Sequence, residues 1–199
     1  MYMFSASDLV ARSAAQLLFK QVKKLQWKAT PRQLKGNEYA EAIVAKEEAS
    51  AERRGIIKHN DDLLFFCVDM VKDDTYIEIK KVDDQTNYEP WYLHAAIMQS
   101  TLYASLLQDV MLLDTPKFRK KEGYKQELTY LNDQRNYELW FGTERFKIEP
   151  NDEIKAHFIT KMELLSTAIP LADFETCRQW DRQYKFNEFN MFNPKYARI

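Results

Sequence analysis

Glycine is scarce in this sequence, four residues in 199, and the six prolines are scattered rather than gathered into a linker. A chain so poor in breakers, with no Ser- or Gly-rich stretch, is neither a string of tethered modules nor a disordered segment. Cysteine is scarcer still. Cys67 and Cys177 are too few for a four-thiolate metal site, fit a reducing compartment better than a disulfide framework, and read as packing residues. Neither sign of charge dominates, with 29 basic against 30 acidic residues, so binding to nucleic acid would require lysines sorted locally onto one surface. Long apolar runs are also missing. Nothing approaches the roughly 20 residues of a membrane span, and the opening "MYMFSASDLVARSAAQLLFKQ" has no basic stretch ahead of an apolar one. The expectation is a soluble, cytoplasmic protein with no membrane partner.

What is present is a 45% apolar, 14% aromatic chain, enough for one sizeable core and short for two. A single domain over residues 1–199 is expected. Ser5 and Asp8 start a helix from about Ser7 to Trp27, with Leu9, Leu17, Leu18, Val22 and Leu25 at helical spacing. A second helix, rich in Ala and Glu, is predicted between Gly36 and Arg53, stopped by Gly55. Two strands follow, Leu63 to Val71 and Thr75 to Val82, turned at Lys72-Asp73-Asp74. Pro90 opens a long apolar helix to about Leu113. "QELTYL" and "YELWFGTERFKIE" read as strands, the latter a hairpin around Gly142-Thr143. Pro150-Asn151-Asp152 starts a helix stopped by Pro170, and another runs from Asp173 to Tyr184. The predicted order is α-α-β-β-α-β-β-α-α, an α/β or α+β mixed sheet flanked by helices. Its core covers about 36–150, with helices and an aromatic tail over 151–199.

Chemistry is concentrated in "TYIEIKKV". Residues i and i+2 of a strand share a face, so Glu78 and Lys80 project together while Ile77 and Ile79 project the other way. Asp69, on the preceding strand, falls near the same end of the hairpin. Two carboxylates suit Mg²⁺ or Mn²⁺, and a lysine beside them could steady charge on a phosphoryl oxygen. The pair equally fits a cross-strand surface ion pair. Glu-Ile-Lys recurs at Glu153 to Lys155 as part of a helix start, and the spacing of Gln99 and Tyr103 recurs at Gln126 and Tyr130.

Order along the chain separates these readings. A helix with Gly36 and Glu41, a strand with Asp69, a strand with Glu78-x-Lys80, then a helix with Gln99 and Tyr103 one turn apart resembles the PD-(D/E)XK nuclease superfamily. Within it the pattern is similar to the branch of RecB-type nucleases, lambda-type exonucleases and CRISPR adaptation nucleases. "GNEYAE" looks like the first motif, "CVDMV" the metal-binding Asp, "IEIK" the E-x-K and "QSTLY" the Q-x-x-x-Y motif. The resemblance covers about residues 5–185. It implies a restriction-endonuclease-like core and a metal held by Asp69, Glu78 and the Ile79 carbonyl, with Glu41 as a further ligand. Lys80 would be the catalytic lysine, with Gln99 and Tyr103 contacting DNA or bracing the site. Many members have a His in the first-motif helix, where this chain has Ala40 and Glu41, closer to the lambda-exonuclease pattern. Relatives with an iron–sulfur cluster use four cysteines, so no cluster is expected here.

The implied activity is Mg²⁺- or Mn²⁺-dependent hydrolysis of DNA phosphodiesters, as an exonuclease or end-processing enzyme of phage or mobile-element type acting in the host cytoplasm. The alternative is a catalytically silent nuclease-fold module that binds DNA or protein in a larger assembly. Two basic clusters are candidates for holding DNA. One is Lys117, Arg119, Lys120 and Lys121 with Lys125, beside Phe118 and Tyr124. The other is Lys20, Lys23, Lys24, Lys28, Arg32 and Lys35. The aromatic tail, Phe186, Phe189, Phe192 and Tyr196, either docks on a partner, such as another copy or a recombination protein, or covers its own core.

Overall fold

A computed structural model describes residues 1–26, 28–83, 88–107, 136–185 and 187–199. The expected basic cluster at 117–121, the "QELTYL" strand, the end of the helix beyond 107, and Phe186 lie outside the described residues. The elements run β1 (Met3–Ser5), α1 (Ala6–Ala11), α2 (Ala14–Val22), α3 (Pro31–Lys46), β2 (Ser50–His59), β3 (Asp62–Lys72), β4 (Thr75–Lys80), α4 (Pro90–Leu107), β5 (Asn136–Phe141), β6 (Glu144–Ile148), α5 (Asp152–Leu171), α6 (Phe174–Tyr184), α7 (Glu188–Phe192) and β7 (Tyr196–Arg198).

The architecture is α/β, an open mixed sheet flanked by helices. Its strands run β1-β3-β4-β5-β6-β7, with β2 also paired to β3. The β3–β4 and β5–β6 hairpins form where the sequence predicts them. β4 and β5 are parallel, Ile77 lying opposite Glu138, so the chain between them must cross over the sheet, and α4 makes part of that crossing. Alternation then sorts the side chains. Tyr76, Tyr137, Leu139 and Phe141 join the main core with Ile97, Leu102, Phe158 and Leu165. On the other face Met70, Ile77 and Ile79 are covered by Tyr39, Ala40, Ile43 and Val44 of α3.

Four expectations are corrected. The first helix is two. Ser13 caps α2 with a reciprocal capping box to Gln16, and the break is held by residues far along the chain. Lys161 Nζ donates to the carbonyls of Leu9 and Arg12 at 2.6 and 2.8 Å, while the Asp181 carboxylate accepts from Ala14 and Ala15 N–H. The second helix starts earlier and ends sooner, because Thr30 and Gln33 form a capping box with Pro31 at the first turn. Gly36 therefore lies inside α3.

The stretch after α3 is strand β2, paired with β3 from Ser50↔Val71 to His59↔Asp62. Gly55 is not a helix stop but a strand glycine. A Cβ there would sit 2.3 Å from Phe66 Cζ, so the bare backbone makes room for the Phe66 ring. Besides splitting the first helix into α1 and α2, the observed order thus adds β1, β2, α7 and β7 to the predicted one. Pro170 sits inside the last turn of α5 rather than ending it. The tail folds back on its own chain: Phe189 stacks on His94 at 3.8 Å, Phe192 packs against His157, and Tyr196 meets Phe146 edge-on.

Candidate functional site

β2 occupies one edge of β3 along its length, so β1 and β4 share the other edge. β1 pairs with Leu63 to Phe65 and β4 with Met70 to Lys72. Between them, residues 66–69 of β3 have no strand partner on that side among the described residues, and β3 and β4 part beyond the Met70–Ile77 pair. The site lies at this parting.

Asp69 stands there, half-buried, and its Oδ2 accepts the Ile79 N–H at 2.8 Å. The side chain takes the place of a ladder bond. Gly142 N–H reaches the Lys80 carbonyl from the β5 side. Along a strand, successive residues direct their backbone groups to opposite edges, so the Ile79 carbonyl leaves toward β3, the side of Asp69.

Glu78 is 2% exposed on the face toward α4. Its Oε1 accepts from Lys80 Nζ at 2.5 Å and from Gln99 Nε2 at 2.7 Å. The buried Oε2 has no hydrogen-bond partner among the described residues. Burial, reinforced by the nearby Asp69 charge, pushes the Glu78 carboxyl up to about 8, against the opposing pull of Lys80 and Gln99. Burial alone would lower Lys80, but Glu78 and Asp69 hold it above the ordinary lysine range. It stays an ammonium. Gln99 Nε2 also donates to the Tyr103 hydroxyl at 3.1 Å, one helical turn away. Burial and the Glu78 charge raise the Tyr103 phenol well above its usual range, against the opposing pull of Ser7 of α1 and Gln99.

Asp69, Glu78, Lys80, the Ile79 backbone, Gln99 and Tyr103 are therefore brought together. Glu41 is not. It is exposed on α3, whose packed side covers the opposite face of the sheet. With the helix capped at Thr30, Ala40 and Val44 turn inward and Glu41 turns to solvent.

Pattern reading missed Ser7 and Tyr137. Nothing in the spacing of Ser7 links it to Tyr103, because α1 reaches α4 only through the tertiary fold. Tyr137 lies opposite Tyr76, its phenol raised by burial and by Glu78. Strand alternation in β5 signals its face but not its neighbour.

Among the described residues no three His, Cys, Asp or Glu side chains gather to hold a metal. The donor set is narrower, two carboxylates and a carbonyl, with one buried carboxylate oxygen uncommitted. That fits a hard divalent ion of the Mg²⁺ kind, which takes one or two carboxylates and retains several waters. Comparison with protein-family models, with curated proteins and with solved structures finds no match for this chain.

Proposed function

We propose that this protein is a metal-dependent DNA nuclease that hydrolyses phosphodiester bonds, an exonuclease or end-processing enzyme of phage or mobile-element type with a PD-(D/E)XK-like core. The observation that carries the reading is the uncommitted Glu78 Oε2, buried beside Asp69 and flanked by a protonated Lys80 where two strands part. Burying an acceptor without a partner costs about 1–3 kcal/mol, a cost that a bound cation would offset. Support also comes from element order: the hairpin with the acids leads into the helix bearing Gln99 and Tyr103, and the chain returns as a strand parallel to β4.

In this reading Asp69, Glu78 and the Ile79 carbonyl hold Mg²⁺ or Mn²⁺, which supplies positive charge to the phosphate and makes water more acidic. Lys80, its ammonium bonded to Glu78 Oε1 and its side chain 22% exposed, stabilises charge developing on the phosphoryl oxygen. Gln99 fixes the Glu78 carboxylate in place, and Tyr103 in turn positions Gln99.

The test is incubation of the purified protein and its Lys80→Ala variant with end-labelled linear and closed-circular DNA in Mg²⁺, Mn²⁺ and EDTA. Metal-dependent loss of linear DNA by the parent alone is expected. Equal cleavage by the variant would refute the assignment.

One observation favours a second reading, a silent module that binds DNA or protein. Glu78 Oε1 and Asp69 Oδ2 are already satisfied within the chain, as in a structural ion-pair network. Absence of cleavage together with retained DNA affinity would select it.

A further inference from the structure

Beside the site, α1, α2, the connection after α2, and α3 enclose a groove of about 600 Å³. Arg12, Lys20 and Lys28 stand on its walls with the amides of Gln33 and Asn37. One carboxylate, Asp8, is shared between Arg12 at 2.9 Å and Lys20 at 2.7 Å. The sequence around the groove is strongly one-sided. Between Asp8 and Glu38 the chain carries seven Lys or Arg and no Asp or Glu, within a protein of net charge −1. Such sorting concentrates positive potential where a neutral composition conceals it.

Both walls are tied to the site. On one side Asp8 lines the groove while α1, which carries it, packs on α4, the helix of Gln99 and Tyr103. On the other, Arg32, next to the lining residue Gln33, holds its guanidinium 5.2 Å from the centre of the Tyr92 ring, and the Tyr92 hydroxyl donates to the Lys81 carbonyl at 3.2 Å, one residue beyond Lys80. Amides and cations of this kind are the side chains that hold phosphates. The volume is that of a small-ligand cleft and excludes the body of a duplex.

We infer that this groove seats a single DNA strand through its phosphates and leads it to Asp69, Glu78 and Lys80. This rests on the nuclease reading for the identity of the polyanion. It places the strand on the amino-terminal basic cluster instead of the cluster at 117–121.

The experiment is fluorescence anisotropy of a labelled 12-nucleotide single strand and its duplex in EDTA, across a salt series. The proteins are the parent, a groove triple (Lys28→Gln on the wall, with Arg32→Gln and Lys35→Gln on α3 beside it, all exposed positions) and a loop triple (Lys117→Gln, Arg119→Gln, Lys120→Gln). The groove triple should bind the single strand at least about tenfold more weakly, with the slope of log affinity against log salt reduced by about 2. Its melting temperature and the affinity of the loop triple should stay at parental values. Loss confined to the loop triple, no binding by the parent, or tighter duplex binding that the groove triple retains would each overturn the groove. Cleavage in Mg²⁺ separates the two ideas. If the groove triple loses binding while Lys80→Ala cleaves normally, the groove stands and the nuclease site falls; parental binding by the groove triple with Lys80-dependent cleavage gives the reverse.

Discussion

The Gln99 side-chain amide donates from one nitrogen to both Glu78 Oε1, at 2.7 Å, and the Tyr103 hydroxyl, at 3.1 Å. It is the link between the crossover helix and the acidic strand. A donor to the ionised carboxylate lowers its pKa, so Gln99→Met should raise Glu78 further. The expected outcome is a cleavage rate–pH profile displaced to higher pH, with a parental fold by circular dichroism. An unmoved profile would remove Gln99 from the site.

Lys80→Ala should reduce cleavage by about 10²–10³-fold, the usual loss when one charge-stabilising group is removed from a transition state. Asp69→Asn and Glu78→Gln should weaken Mn²⁺ binding as well, measured by titration calorimetry on protein without DNA. Lys80→Ala should leave that binding intact. A Mn²⁺ affinity equal in all four proteins would refute the ligand assignment.

The pKa of Glu78 also predicts how stability follows pH. Its folded value, raised from 4.5 to about 8, means that between those limits the folded state holds a proton that the unfolded state has released. Stability from this group is present below about pH 4.5 and is lost as pH rises through about 8. Glu78→Gln lacks this dependence. In EDTA, its melting temperature relative to the parent should rise steadily from pH 5 to pH 8. A constant difference would show that Glu78 is ionised throughout.

Much of the site was legible because short-range periods determine it. Period-two alternation puts Glu78 with Lys80 and sends Ile77 and Ile79 to the far face, and the four-residue spacing of Gln99 and Tyr103 survives intact in α4. Glu41 was misplaced because the capping box at Thr30 sets the helical phase, and that cap lies upstream of the glycine taken as the start. The first residues of β2, Ser50 to Arg53, were read as helix because "AERR" is built of helix formers. Their strand state comes from pairing with β3, a tertiary effect that local propensity does not contain. The break between α1 and α2 is marked locally by the Ser13–Gln16 capping box, but the contacts that hold it come from Lys161 and Asp181, about 150 residues away.

Gly55→Ala tests the β2 assignment directly. The added methyl would press on the Phe66 ring and should cost about 1–3 kcal/mol, the usual penalty of overpacking, read from urea denaturation. Phe66→Leu in the same chain should recover part of that loss. A glycine serving as a helix stop would give no such coupling.

Lys161 is fully buried and its ammonium is lowered to about 8 by burial, partly countered by Glu188. Lys161→Met leaves the Leu9 and Arg12 carbonyls without their donor. The expected loss is about 2–4 kcal/mol in thermal or chemical unfolding, near the sum of two stranded acceptors.

The same lysine sets an order of events during synthesis. The Leu9 and Arg12 carbonyls wait for Lys161, the Val10 carbonyl for Lys185, and the α2 amides for Asp181. These partners leave the ribosome about 150 to 175 residues after the groups they meet, and contacts so distant in sequence form late. The α1 turn that brings Ser7 to Tyr103 therefore cannot settle on a half-made chain. A growing polypeptide carries Asp69, Glu78 and Lys80 well before α5 and α6 arrive to fix the helices beside them.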